Sequence, residues 1–455
     1  MLGRRTGHWI ALGLWLLQAC TGPTPTHDPL GADLATANEL AGAGERSAAA
    51  ALYQDVLRRA PPDDPRSALA LADLYLQWGR PSEGLAAVEE AAQRGASGDD
   101  VLSRRLALLT AAERWDEVLD LAAGHPDDRA MLGATLQAHL ERGDCRAATV
   151  VAANILATHP NDVVAKRVHG LLSGDYRLLA AVAPDLGTSP EGCDAACENA
   201  IAQQLIRAGE WGLAHCVLLR VVAPGPAQPD AHAWLGEALD RLGQTGAARA
   251  HLREAVTLAP ESPLAWLLLG RHYLVAGELH LARVGLLNAH RLDPGNPAPC
   301  LALAELKTSA GLYDEVDKWI DAALARAPAS VDVWKSAARF YLTRNLSTAE
   351  RQLAIARHAT ELAPDDAEAH LLLGWSWLHA GDPQQALAAL DEALSLAPTL
   401  AEAHHLRAVT LEALGDVEAA RAARIRAADL GIPPSGTTIT TGQARPDAQQ
   451  QIPAK

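Results

Sequence analysis

The chain has 455 residues, with 39 Lys and Arg against 55 Asp and Glu, for a formal net charge of −16. That balance lacks the basic stripe that nucleic acid requires and the polybasic cluster that grips anionic lipid, so it argues against both as partners. One Phe and two Met beside 11 Trp leave Ala and Leu to build the core, which suits closely approaching helices in an array that grows by addition rather than around one centre.

The first element in chain order is an export leader. Arg4 and Arg5 precede a short apolar run, Trp9 to Leu17, and then Leu17-Gln18-Ala19-Cys20. The run is well short of the ~20 apolar residues that span a bilayer, and the small residue before the cut fits a cleaved signal over 1–19. The Leu-x-Ala-Cys ending resembles the lipobox of bacterial lipoproteins. The resemblance implies cleavage before Cys20, acylation of its thiol (palmitate or a similar chain) and an extracytoplasmic, membrane-tethered protein in a bacterial cell envelope. An ordinary cleaved signal is the alternative. Thr21 in place of Asp would, by the lipoprotein rule, direct the protein to the outer membrane of a two-membrane cell. Residues 20–29, rich in Pro and Thr, read as a tether.

From residue 30 onward the chain repeats itself. Pro226, Pro260, Pro294 and Pro328 are 34 residues apart, as are Pro364 and Pro398. Gly209, Gly243, Gly277 and Gly311 share that spacing, and so do Gly381 and Gly415. Two alanine series follow it: Ala214, Ala248 and Ala282 with Ala386 and Ala420, and Ala255, Ala289 and Ala323 with Ala393 and Ala427. Each residue type has a physical reason. The mid-unit Gly takes a turn at positive φ, the Ala lets two helices press together, and the Pro stops the second helix.

This pattern resembles the tetratricopeptide repeat family. Residues 263–296 carry it nearly whole, through Trp266, Leu269, Gly270, Tyr273, Gly277, Ala282, Leu286, Ala289 and Pro294. The resemblance implies an all-α, α–α superhelical solenoid of about ten to eleven helical hairpins. The register predicts an N-terminal array over 30–162, a degenerate seam over 163–194, a C-terminal array over 195–434 and a disordered tail over 435–455. The third unit is short, ending at His125-Pro126, and the ninth carries about two extra residues near Asn345.

No phosphate loop, nucleophile elbow or paired-His zinc helix is present in the sequence, so no catalytic residue, cofactor or metal is expected. Among the 17 His, His232, His370 and His404 share the repeat position where the family often has Trp, and read as packing residues. Beyond Cys20, five Cys remain, so at least one thiol stays outside any disulfide. Cys193 and Cys197 are spaced for a local bridge, while Cys145 and Cys300 read as small buried hydrophobes.

In the family, the first helix of each hairpin lines a concave groove. Carried onto this register, the groove includes Glu237, Arg271, Glu305, Lys335, Arg339, Trp375 and His405. Trp375 would be either an exposed anchor for a partner segment or a contact with the next hairpin, and Lys335 and Arg339 either a solvated basic pair or a pair open to an acidic group. The function implied is a protein-binding scaffold or assembly factor, of the kind that family relatives supply to pilus, secretion, outer-membrane or polysaccharide-export machines. A glycan or small-ligand carrier, and an accessory subunit of an envelope enzyme complex, are the alternatives.

Overall fold

The computed structural model describes residues 29–186, 192–223 and 228–432. The leader, Cys20, most of the tether and the tail lie outside the described residues. Within them are 24 α-helices and no helix long and apolar enough to cross a membrane.

The helices pair into twelve hairpins. They are α1 Pro29–Gly42 with α2 Arg46–Arg59, α3 Arg66–Trp78 with α4 Pro81–Gln93, α5 Gly98–Ala111 with α6 Trp115–Ala123, and α7 Arg129–Glu141 with α8 Cys145–Thr158. Next come α9 Val163–Ser173 with α10 Tyr176–Val182, α11 Ala195–Ala208 with α12 Trp211–Val222, α13 Pro229–Arg241 with α14 Thr245–Leu258, and α15 Pro263–Val275 with α16 Leu279–Leu292. The last four are α17 Ala298–Ser309 with α18 Val316–Arg326, α19 Val331–Arg344 with α20 Ala349–Leu362, α21 Ala367–His379 with α22 Pro383–Leu396, and α23 Ala401–Leu414 with α24 Val417–Asp429.

The 34-residue punctuation has a physical counterpart at each position. Helices α14, α16, α18, α20 and α22 all end two residues before Pro260, Pro294, Pro328, Pro364 and Pro398, where the ring can no longer donate a helical hydrogen bond. Both alanine series are buried, and a larger side chain there would force the paired helices apart. Gly270 shows the same close approach from the other side. A Cβ there would lie 2.8 Å from the Leu286 side chain and 2.9 Å from the Leu286 backbone nitrogen. The turn glycine Gly277 has φ +76°, a conformation that side-chain-bearing residues adopt at a cost.

The Trp position explains its own substitutions. Trp266 and Trp334 donate their indole N–H to the carbonyls of Pro260 and Pro328, at 2.7 and 2.9 Å. His370 and His404 place Nε2 at 2.8 and 2.9 Å from the carbonyls of Pro364 and Pro398. The position therefore asks for a ring N–H at a fixed reach, which imidazole supplies as well as indole. His232 departs from this, with its Nδ1 3.1 Å from Nδ1 of His251.

The chain divides into two compact units. Of the described residues, one comprises those within 29–35 and 53–293, and the other those within 36–52 and 294–432. The division falls at 293/294, whereas the degenerate segment 163–194 lies inside a continuous core that runs from Leu136 to Ala248. Helix α10 has only seven residues, so it leaves a gap that a full second helix would fill. Helix α12 fills it by contacting α7 and α8 directly as well as α9. It is accordingly buried on nearly all sides, from Gly212 through Leu218. The segment is also pinned by polar contacts. Arg220 reaches the Leu171 carbonyl at 2.6 Å, Glu198 at 2.8 Å and the Tyr176 hydroxyl at 3.1 Å, and Arg167 pairs with Glu210 at 2.9 Å. Burial, and then the hydrogen bond to Glu198, push the Tyr176 phenol up to about 12.

In the second unit the segment 36–52 docks against α24. Asp429, only 2 % exposed, accepts hydrogen bonds from the Ser47 backbone N–H at 2.7 Å and hydroxyl at 2.9 Å. Its carboxylate thus caps the N-terminus of α2, while Arg46 donates to the Asp429 carbonyl at 2.6 Å. Asp429→Ala leaves those donors without their acceptor and is expected to cost about 1–2 kcal/mol. Hydrogen exchange should then accelerate at the first amides of α2, and unchanged exchange there would refute the capping role.

Candidate partner-binding site

The first helices of the hairpins carry the residues named as groove-lining, and most of them are engaged within the protein. In the second unit, α19 presents Lys335 and Arg339 toward the acidic starts of α21 and α23. Lys335 Nζ lies 2.6 Å from Asp366 and 3.3 Å from Glu368. Arg339 pairs with Glu368 at 2.9 Å and with Glu402 at 3.1 Å. Glu305 on α17 is taken by Arg344 at 3.0 Å. The result is a ladder of ion pairs that ties successive hairpins together. The expected open basic pair is therefore corrected: its acids come from the next two repeats.

Burial alone would lower Lys335, but the hydrogen bond to Asp366 and the charges of Glu368 and Asp366 outweigh it and raise the ammonium above its ordinary value. Asp366 is pushed up by burial, yet the Lys335 hydrogen bond and the Ala369 N–H that it caps hold it below the usual carboxylate range. Lys335→Met is expected to cost about 1–2 kcal/mol at neutral pH, because the side chains are only 15 % and 25 % exposed. A depressed folded pKa means that this stabilisation is complete above the unfolded carboxylate value of ~3.9 and is lost as pH falls through the lower folded value. The gap between wild type and variant in denaturant titrations should close on the acid side; a gap constant down to acid pH would contradict the pairing.

Trp375 is not the exposed anchor that its register suggested. It is 6 % exposed and packs in a core with Tyr341, Leu342, Leu371, Leu372, Ala403 and Leu406, that is, against the hairpins on either side. Trp377, two residues on, is the more exposed of the pair and carries Arg357 4.7 Å over its ring. The physical reason is size. A large ring on α21 joins a core shared with α19 and α23, so inter-repeat packing consumes the face that a shorter side chain would leave open. His405 on α23 is half-buried, and burial, followed by the charge of Arg424, lowers its imidazole below the ordinary value.

In the first unit, Glu237 is held by Arg241 at 3.3 Å. Its neighbour Asp240 lies with both oxygens 2.9 Å from Nδ1 of His272. Burial raises the Asp240 carboxyl even though the His272 hydrogen bond opposes it. Arg271 on α15 differs from all of these: it is exposed, and no ion pair or hydrogen bond involves it among the described residues. One turn further along the same face stands Val275, 90 % exposed. A separate open cleft of about 540 Å³ is lined by Glu113, Arg114, Trp115, Asp116, Arg142 and Gln244, at the hairpin turns rather than on the first helices. Arg142 is already paired with Asp116 there.

Among the described residues two disulfides are present. Cys193 and Cys197 are joined across one turn at the entry to α11, and Cys145 at the start of α8 is joined to Cys216 in α12. The second was not legible as a pair, and the reading of Cys145 as a packing residue is corrected. The truncated α10 brings α12 to α8, and with it two cysteines 71 residues apart in sequence. Cys300 is buried and belongs to neither bridge. Beside the Cys145–Cys216 bond, His215 is 5 % exposed. Burial, and then the charge of His251, bring its imidazole down to about 4.

The sequence profile of the tetratricopeptide repeat matches residues 34–100, 199–263, 239–297 and 343–401. No curated protein matches the chain. Among solved structures, yeast Tom70 is similar at 13 % identity, covering 88 % of this chain and 92 % of its own with a TM-score of 0.41. The Cut9 complex with Hcn1 is similar at 15 %, covering 84 % and 90 % with a TM-score of 0.40. A Pseudomonas aeruginosa protein, PilF, is similar at 17 %, covering 44 % and 89 % with a TM-score of 0.37. With its punctuation, its paired helices and its profile in agreement, the described chain is all α-helical and built from stacked hairpins of the tetratricopeptide repeat kind.

Proposed function

We propose that this protein is a scaffold or assembly factor of a bacterial cell envelope, tethered to the membrane through a lipid on Cys20, that binds a segment of a partner protein. The observation that carries the binding role is the α15 surface, where exposed Arg271 and Val275 lie one turn apart on the first helix of the best-preserved repeat. An arginine without an internal partner beside an apolar side chain in water suits a partner segment that alternates acidic and apolar residues. The first-helix residues of the second unit named above instead have their charges matched by the chain itself. The Leu17-to-Cys20 box supports the tether. The carrier alternative drew on Trp375 as an exposed aromatic, and that ring is buried.

The test has two arms. Mass spectrometry of the mature N-terminus should find an acylated Cys20, and Cys20→Ala should release the protein from membranes; an unmodified, soluble wild type refutes the tether. A photo-crosslinker at position 271, in cells, should trap a protein partner whose yield drops at least about tenfold with Val275→Asp. Equal trapping in both forms, or no protein adduct, refutes the binding surface.

A further inference from the structure

We propose that the Cys145–Cys216 disulfide conceals a zinc site, which opens when the bond is reduced and is built from Cys145 Sγ, Cys216 Sγ and His215 Nδ1. The three ligand atoms all lie within 4.8 Å of one another. Cys145 Sγ is 3.6 Å from His215 Nδ1. A tetrahedral ion with a Zn–S bond of about 2.3 Å and a Zn–N bond of about 2.05 Å sets its sulfur and nitrogen ligands about 3.6 Å apart. One edge of the coordination polyhedron is thus already in place. Of the two remaining edges, the sulfur–sulfur edge must widen to about 3.8 Å and the Cys216–His215 edge, within 4.8 Å, must settle at about 3.6 Å, which rotation about the two cysteine side chains can supply.

The surroundings suit the ion. Cys145 is the first residue of α8, and the positive end of a helix favours a thiolate. It is also the more exposed of the three, which gives an ion and a reductant a way in. His215 and Cys216 are held on the buried helix α12, with Gly143 so close that a Cβ there would lie 3.1 Å from the imidazole carbon between the two nitrogens. Two sulfurs and one imidazole nitrogen form a donor set that prefers zinc to magnesium or calcium, and three protein ligands leave the fourth position to water.

The redox balance is simple. An external dithiol gives two electrons and two protons to the Cys145–Cys216 bond, which becomes two thiols, and the dithiol becomes a disulfide. Zinc then displaces the two thiol protons. Metal loading and the bridge are mutually exclusive, so the site would take up zinc only in the reduced protein. Sequence spacing concealed it, because the ligands come from hairpins that meet only where α10 is short.

The experiment uses the full chain with Cys193→Ser and Cys197→Ser, which removes the other cysteine pair. Reduced with a phosphine, this protein should bind one equivalent of Zn²⁺ against a chromogenic chelator, and its oxidised form should bind none. Cobalt substituted for zinc should add a thiolate-to-metal charge-transfer band. Adding His215→Gln should weaken zinc binding by more than about tenfold, since loss of an outer-shell partner alone costs that much, while the helical circular dichroism of the reduced apo-protein stays unchanged. The proposal is overturned if the reduced protein binds no zinc, if His215→Gln binds it as tightly, or if reduction abolishes the helical signal before metal is added.

Discussion

Cys216→Ser is expected to destabilise the first unit by about 4 kcal/mol, from the loop-closure entropy of a 71-residue span. The same reasoning gives about 2 kcal/mol for Cys193→Ser, whose bridge closes only a four-residue separation. Both bonds restrict the unfolded chain, but the long one removes far more of its freedom. It also fastens α12 to α8 in the gap left by α10. Urea titration of the oxidised proteins, followed by helical circular dichroism, should rank the two variants in that order. Equal losses would mean that the long bridge does not constrain the unfolded chain as its span requires.

The second large effect is expected at Gly212. A Cβ there would lie 2.2 Å from the Leu140 carbonyl oxygen and 2.5 Å from its carbonyl carbon. Those are backbone atoms of α7 and cannot rotate away, so Gly212→Ala has to push α12 off α7. The expected cost is about 3 kcal/mol, at the upper end of overpacking. Gly246 on α14 is the control. A Cβ there meets nothing within 4 Å, so Gly246→Ala should stabilise by about 0.5–1 kcal/mol through helix propensity alone. If both substitutions changed stability in the same direction, the close approach of α12 to α7 would be refuted.

How much of this was legible in the sequence depended on distance along the chain. The hairpins were, because a 34-residue period is written in local terms: Gly277 for a turn, Pro294 for a stop, Ala282 and Ala289 for a close approach. The candidate site was not. Trp375 was placed by register alone, which says which side of a helix a residue occupies but not how far the next hairpin extends over it. Lys335 and Arg339 were visible as a pair, but their acids Asp366, Glu368 and Glu402 belong to later repeats, and only the stacking geometry brings them within reach. The Cys145–Cys216 pair depended on α12 contacting α7 and α8, which no local pattern encodes. One signal was available: α12 reads WGLAHCVLLRVV, apolar or glycine everywhere but at His215 and Arg220, as suits a helix buried on nearly all sides.

In a regular solenoid each hairpin touches only its neighbours, so its stability behaves like a one-dimensional chain of nearly independent links. Helix α12 adds a next-nearest link by reaching past α9 and α10 to α7 and α8. Hairpins four, five and six are then bound to open together rather than singly, as one cooperative block. Amide hydrogens from α7 through α12 should share a common opening free energy in native-state exchange, where an ordinary repeat array would show a graded series. The shortest helix of the array would thus lie at the centre of its most cooperative segment.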